Sequence, residues 1–139
     1  GEYLTSELFK ETCENPGRAI KSFLMDRGVL AWMDNDIASE VLFITGINPA
    51  CALADLNPDF AAFLAKAIKL TYNRFISHLR NDFQNTDRVP IESLYSVYGR
   101  AGQVCNVCSG IIQRSVIEGL ATYACPRCQK TAIRKEHAL

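Results

Sequence analysis

The chain has 139 residues and a mass of 15.5 kDa, which suits one compact domain or two small ones and excludes a large catalytic barrel or sandwich. Hydrophobic residues make up 48% of the chain and charged residues 22%, so a packed core is expected and a disordered chain is not. The formal net charge is zero, which is low for a protein that binds a polyanion. The charges are unevenly distributed, because residues 1–65 contain four basic and ten acidic residues, whereas residues 66–139 contain eleven basic and five acidic residues.

The first predicted element is a short amphipathic helix. Leu4, Leu8 and Phe9 recur at helical spacing within residues 3–13. The side-chain oxygen of Thr5 or Ser6 is expected to cap its free N–H groups. An Asn-Pro-Gly sequence then ends the helix.

Two further helices are predicted before residue 50. Pro16 suits the start of a second helix of about three turns, which ends at Gly28 because glycine adopts a positive φ without a steric clash. Asp34 is expected to cap a third helix, which Gly46 and Pro49 close. The apolar residues expected to face a core are Ile20, Phe23 and Leu24 in the second helix and Ile37, Val41, Leu42 and Ile44 in the third.

The longest predicted helix runs from Phe60 to about Phe83, after an Asn-Pro-Asp start signal. The polar, proline-containing segment 85–92 is interpreted as a linker. Short runs of β-branched and aromatic residues follow it, separated by glycines, and predict β-structure. The predicted fold is therefore mainly α with a small β hairpin, divided into a helical domain over 1–84 and a second domain over 93–139.

Four of the six cysteines form two Cys-x-x-Cys pairs. Cys105 and Cys108 make the first pair and Cys125 and Cys128 the second, with sixteen residues between the pairs. This spacing is typical of a four-thiolate zinc site, in which two tight turns complete a tetrahedron. A segment of about 40 residues with few large apolar side chains cannot close its own core, so zinc should supply much of its folding free energy. Two disulfides or unpaired buried thiols are the alternatives.

Four thiolates leave no open coordination position, so the predicted zinc is structural and not catalytic. Cys13 and Cys51 have no partner at ligand spacing and are interpreted as small buried hydrophobic residues. His78 and His137 have no ligand spacing either, and we assign neither a role. The chain contains no nucleophile elbow, phosphate-binding glycine loop or zinc-protease helix. No complete catalytic site is predicted.

The expected location is a reducing compartment, because thiolate-bound zinc favours one, and we expect a cytoplasmic, nucleoid-associated protein. The longest apolar runs are interrupted by charges and fall short of the ~20 residues that a membrane span requires. We therefore expect neither a transmembrane nor a secreted protein. Since the chain opens Gly-Glu-Tyr without a methionine, we interpret it as a piece of a longer protein.

Two segments carry a resemblance to a known family. The first spans residues 19–49 and contains the runs AIKSFLMD, NDIASE and LFITGINP; the second has VYGR over residues 97–100 and ATYACPRCQK over residues 121–130. Together they resemble the formamidopyrimidine-DNA glycosylase and endonuclease VIII family. The resemblance implies a helix-two-turn-helix bundle followed by a C-terminal four-cysteine zinc finger.

The resemblance also implies a function in base-excision repair. Proteins of this family bind damaged double-stranded DNA, flip out an oxidised base, cleave the glycosidic bond and nick the strand by β-elimination. Their nucleophile is an N-terminal proline followed by glutamate, carried by a separate domain. We find no counterpart here, so we expect a DNA-binding C-terminal fragment of such a glycosylase and AP lyase, with no catalytic residue of its own and the N-terminal catalytic domain as its partner.

Three residues match the DNA-binding pattern of that family. Asn35 matches an asparagine that donates to a phosphate, Lys21 a lysine of the preceding helix, and Tyr98 a tyrosine that donates to a phosphate beside the finger. Each has a plainer alternative: a turn asparagine, a solvated lysine, and a tyrosine packed against the hairpin. The resemblance favours the DNA-binding roles.

Two departures favour a different function. Where the family's turn has Gly, an apolar residue, Gly and Asn, this chain has Trp32, Met33, Asp34 and Asn35, so a carboxylate stands where a phosphate would lie. Leu120 replaces an arginine at the hairpin tip, a loss worth about 1 to 3 kcal/mol. The alternative is a degenerate relative with weak or no DNA binding that acts as a protein-interaction or non-catalytic module. An RNA or ribosomal module, or a zinc-ribbon transcription module, fits the combination of elements less well.

Overall fold

The computed structural model describes residues 2–84 and 90–130. The helices within these residues are α1 (Glu2–Glu14), α2 (Ile20–Leu24), α3 (Asn35–Thr45) and α4 (Phe60–Gln84); the strands are β1 (Gln113–Ile117) and β2 (Leu120–Ala124). Short 3₁₀ turns lie at Leu53–Asp55 and Ile91–Leu94. The predicted class, mainly α with a small β hairpin, is confirmed. None of these helices is both long and apolar enough to cross a bilayer.

The helices pack around one apolar core. α4 lies against both α3 and α1, and α2 lies against α3. Phe23, Val41, Leu42 and Leu64 are completely buried at its centre. Burial of each such side chain contributes about 1.5 to 3 kcal/mol, so the helical part is held chiefly by these contacts.

The bounds of α3 and α4 agree with the sequence prediction. α4 covers Phe60–Gln84, against a predicted end near residue 83. α3 ends at Thr45, and Gly46 after it has a φ of 73° in the left-handed region and donates its N–H to the Phe43 carbonyl at 3.1 Å. Asp34 occupies the predicted capping position, but its side chain makes no capping hydrogen bond. Ile44 is 42% exposed, so its predicted place in the buried stripe is wrong.

The first two helices differ from their predictions. α1 begins three residues before Thr5, so neither Thr5 nor Ser6 caps it, and Phe9 is 72% exposed. α2 has five residues and not three turns. It ends early because the chain turns after it, where the Gly28 N–H donates to the Asp26 carboxylate at 2.8 Å.

The β hairpin follows the helical part. β1 and β2 pair antiparallel, with Gln113 opposite Ala124 and Ile117 opposite Leu120. The two residues at its tip, Glu118 and Gly119, have φ values of 48° and 78°. Two successive positive φ values give a tight turn that matches the twist of the flanking strands.

Most of the predicted linker lies outside the described residues. Residues 85–89 belong to that part, and Ile91 begins the second 3₁₀ turn. The division into domains at 1–84 and 93–139 therefore stays a prediction.

Candidate metal centre and nucleic-acid interface

The four predicted metal ligands come together at the base of the hairpin. Their Sγ atoms all lie within 4.8 Å of one another. The Sγ atoms of Cys105 and Cys128 are 3.8 Å apart, and those of Cys108 and Cys125 are 3.3 Å apart. Thiolates at about 2.3 Å from a tetrahedral ion would be separated by about 3.8 Å. The cysteines are unbridged, which excludes the disulfide alternative, and their arrangement fits a metal ion.

Backbone N–H groups of the first Cys-x-x-Cys turn donate to its two sulfur atoms. The N–H groups of Val107 and Gly110 each donate to a sulfur at 3.4 Å, the first to Cys105 and the second to Cys108. The bond from Gly110 lowers the pKa of Cys108 to about 7, whereas burial raises the pKa of Cys128 to about 12. A cation among the four sulfurs would favour the thiolate at each position.

The remaining cysteines and histidines do not extend this cluster among the described residues. Cys51 is buried in the helical core, as predicted, whereas Cys13 is exposed, so its predicted burial is wrong. His78 is half-buried on α4. His137 lies outside the described residues.

Lys21 reaches from α2 to the hairpin. Its Nζ atom donates to Thr122 Oγ1 at 2.6 Å and to the Ala121 carbonyl oxygen at 3.1 Å. The residue is 1% exposed, and burial lowers the pKa of its ammonium group to about 8. Lys21 is therefore not a solvated lysine: it ties the finger to the helices. Its contact with DNA stays a prediction.

Asn35 makes the second contact with the same carbonyl group. It is the first residue of α3, and its Nδ2 atom donates to the Ala121 carbonyl oxygen at 2.9 Å. Its Oδ1 atom is buried without a hydrogen-bond partner in the part of the chain that the structure describes. Lys21 and Asn35 together fix β2 beside the N-terminus of α3.

Tyr98 lies in a row of aromatic rings that joins the two parts of the molecule. Its ring centroid is 5.1 Å from that of Tyr95 and 5.2 Å from that of Tyr123, both in edge-to-face geometry. The Tyr95 ring in turn lies 5.7 Å from that of Phe75 on α4, so the row extends from the helical core to the hairpin. The predicted packing against the hairpin is thus observed, and within residues 2–84 and 90–130 the Tyr98 hydroxyl makes no hydrogen bond.

The chain is similar to curated formamidopyrimidine-DNA glycosylases. The chain is 32% identical over 134 residues to a formamidopyrimidine-DNA glycosylase of Glaesserella parasuis, covering 93% of this chain and 49% of that protein. It is 36% identical over 118 residues to the formamidopyrimidine-DNA glycosylase of Magnetococcus marinus, covering 81% of this chain and 42% of that protein. The resemblance to the formamidopyrimidine-DNA glycosylase family is confirmed. The chain spans about half the length of the curated relatives it matches. No protein-family model matches it.

Solved structures of glycosylases share the fold. A viral DNA glycosylase has a TM-score of 0.78 at 18% identity, over 93% of this chain and 46% of that one. The Lactococcus lactis formamidopyrimidine-DNA glycosylase, non-covalently bound to DNA with an AP site, has a TM-score of 0.69 at 22% identity. The match covers 93% of this chain and 46% of that one. The Thermus thermophilus protein has a TM-score of 0.68 at 24% identity, over 94% of this chain and 51% of that one.

The two departures from the glycosylase pattern lie at the surface. Asp34 is exposed directly before Asn35, and its carboxylate accepts no capping hydrogen bond. Leu120 begins β2 at the hairpin tip and is 37% exposed. The Asp34 carboxylate would repel a phosphate, and Leu120 offers no charge to one.

Sequence reasoning missed two carboxylates of α3 that hold the finger of this glycosylase fold. Glu40 is 3% exposed and accepts the N–H groups of Ser96, Val97 and Tyr98 at 2.6 to 3.0 Å. Asp36 accepts the Tyr95 hydroxyl at 2.6 Å, and burial, followed by that hydrogen bond, raises the pKa of Tyr95. The available signal was their spacing, since acids at i and i+4 share one helix face that is otherwise apolar.

Proposed function

We propose that this chain holds damaged double-stranded DNA for a DNA glycosylase and AP lyase that removes oxidised bases. The convergence of Lys21 and Asn35 on the Ala121 carbonyl carries the proposal, because it places the finger hairpin beside the N-terminus of α3. The similarity to glycosylases over 93% of the chain supports it. So does the neighbouring Lactococcus lactis structure, which contains DNA with an AP site.

The proposed grip on DNA uses groups from both parts of the molecule. The positive dipole end of α3 and the backbone N–H groups of Asn35 and Asp36 suit a phosphate, whereas the Ile37 N–H already donates to the Asp36 carboxylate at 2.9 Å. The Tyr98 hydroxyl can donate to a second phosphate. Lys21 acts mainly by positioning, since its ammonium group is engaged by the hairpin and shielded from solvent. We therefore propose that Lys21, Asn35 and Tyr98 belong to a single DNA-binding surface and do not form three separate contacts.

The proposed metal is zinc in a structural role. Four thiolates select a soft metal ion in tetrahedral geometry, and they leave no position for substrate or water. Zinc bound there would fix the base of the hairpin. Excision itself would belong to the N-terminal catalytic domain that the family resemblance implies, and a reducing cytoplasmic location would keep the thiols available.

An anisotropy titration of the chain with a duplex that contains an abasic analogue tests this proposal. Contact with two or three phosphates predicts that log K falls with log salt at a slope of about −2 to −3. Tyr98→Phe should weaken binding about fivefold by removing the donor hydroxyl. Tyr3→Phe, which removes a hydroxyl bound to the Val29 carbonyl, is the matched control and should leave affinity unchanged. Absence of binding at micromolar protein would refute the proposal.

A second candidate is a degenerate relative that has lost the grip on DNA. The exposed Asp34 carboxylate beside Asn35 and the uncharged Leu120 at the hairpin tip favour it. The variants Asp34→Asn and Leu120→Arg separate the two candidates. If only the variant that combines Asp34→Asn with Leu120→Arg binds the duplex with a steep salt dependence, the chain is a degenerate relative that has lost DNA binding. If the unchanged chain binds the duplex, the first proposal holds.

A further inference from the structure

Helix α4 carries a separate concentration of positive charge. Its residues 60–80 include Lys66, Lys69, Arg74 and Arg80 but no aspartate or glutamate. All four side chains are exposed, and none of them forms an ion pair with a side chain of residues 2–80 or 90–130. The net charge of the whole chain is zero, so this excess is local. A surface of this kind attracts a polyanion.

An aromatic groove lies beside this charge. It has a volume of about 390 Å³ and is lined by Trp32, Ala65, Ile68, Lys69 and Tyr72. The Trp32 and Tyr72 rings meet edge to face with centroids 5.5 Å apart, yet they remain 49% and 45% exposed. The groove thus offers aromatic surface to a ligand within reach of a lysine.

Helical spacing aligns the charged and the aromatic residues in two parallel rows. Lys66, Lys69 and Arg80 stand at i, i+3 and i+14, on one side of α4. Tyr72 stands three residues after Lys69, in the neighbouring row with Ile68. At 1.5 Å per residue the charged row is about 21 Å long, enough for several nucleotides.

We propose that this face, formed by Trp32 and α4, binds an unpaired strand of DNA, with bases stacked on Trp32 and Tyr72 and phosphates beside Lys66, Lys69 and Arg80. A positive groove with aromatic platforms is the common design of single-strand binding sites. The bases of an intact duplex are stacked on each other and cannot enter such a groove. The site goes beyond the proposed duplex surface, which uses Asn35 and Tyr98.

Trp32 is the only tryptophan of the chain, so its fluorescence reports directly on the groove. The probe is a thymidine oligomer of about ten nucleotides, titrated into the full chain at several salt concentrations. Stacking predicts saturable quenching, with log K falling with log salt at a slope of about −2 for three phosphates. A strand of equal length without bases should bind much more weakly and cause no quenching.

Matched variants locate the effect. Tyr72→Ala should weaken binding of the oligomer about tenfold, because one stacking platform is lost. Phe63→Ala is its control, since Phe63 is 49% exposed on another side of the same helix. Lys69→Glu should weaken binding and make the salt slope shallower by about 0.7 or more, whereas Lys10→Glu on α1 should not.

The same variants separate this site from the duplex surface. Tyr72→Ala should leave binding of the abasic duplex unchanged, and Tyr98→Phe should leave binding of the oligomer unchanged. The inference is overturned if the oligomer does not quench Trp32, if the base-free strand binds equally well, or if Phe63→Ala matches Tyr72→Ala. A shift of Trp32 emission with anionic phospholipid vesicles but not with the oligomer would also overturn it and would indicate a membrane surface.

Discussion

The helical part and the finger are stabilised in different ways. Among the described residues the helical cluster has nineteen buried hydrophobic side chains, whereas the finger cluster has four, of which Cys105 and Cys125 belong to the metal site. Contacts between apolar side chains therefore suffice for the helices, whereas we expect the finger to need a metal ion in addition to its contacts with α2 and α3. We therefore expect the finger to fold only with the metal ion bound and with the hairpin packed against α2 and α3.

The largest effect is expected from breaking the metal site. Cys125→Ser should unfold the hairpin, because three thiolates hold zinc far more weakly and the finger has almost no other core. Amide signals of β1 and β2 in an NMR spectrum should collapse while those of α4 persist. Cys13→Ser, at an exposed position, is the control. A hairpin that survives in the Cys125→Ser variant would show that the metal is dispensable.

The next effect is expected in the helical core. Leu42→Ala should lower the free energy of unfolding by about 2 to 5 kcal/mol, because Leu42 is completely buried and the substitution leaves a cavity. Leu70→Ala, at a residue that is 55% exposed, should change it by less than about 0.5 kcal/mol. Urea unfolding followed by circular dichroism measures both. Equal effects would contradict the assignment of the core.

The link between the two parts is tested at Glu40. Glu40→Gln should cost about 1 to 3 kcal/mol, because Glu40 accepts the three backbone N–H groups through both carboxylate oxygens, whereas glutamine has one oxygen and an NH2 group that cannot accept. Hydrogen exchange should accelerate at Ser96, Val97 and Tyr98 and stay unchanged within α4. Glu7→Gln, on α1, gives the matched control. Unchanged exchange at these three amides would remove Glu40 from the link.

The smallest effect is a dependence on pH that comes from Lys21. Burial lowers its pKa to about 8 in the folded chain, so the folded state releases this proton before the unfolded state does. The cost of burying the charge is fully present below pH 8 and is relieved as the pH rises towards the ordinary lysine value. Between pH 7 and 9 the wild type should gain about 1 kcal/mol relative to Lys21→Met. Parallel stability profiles of the two proteins would contradict this.

Features that depend on local spacing could be predicted from the sequence. The spacing of the two Cys-x-x-Cys pairs predicts that their four sulfur atoms come together, and the apolar periodicity of α4 gives its bounds to within one residue. The length of α2 could not be obtained in this way, because an aspartate-centred turn competes with the helix after Met25.

Contacts between distant segments could not be predicted from spacing. Lys21 lies 100 residues from Ala121, and Glu40 lies 57 residues from Val97. In the sequence each looks like an ordinary charged residue on a helix. Their burial becomes evident only when the finger lies against α2 and α3, and this is also why a solvated lysine stayed open as the plainer alternative for Lys21.

The most direct test of the account is the affinity for an abasic duplex with and without the metal. If the turn before α3 and the finger form one DNA-holding surface, removal of zinc by a chelator should weaken binding at least tenfold and make the salt slope shallower by about 1, the share of one phosphate contact. The helices should remain folded by circular dichroism. An affinity and a salt slope that survive the loss of zinc would contradict the account.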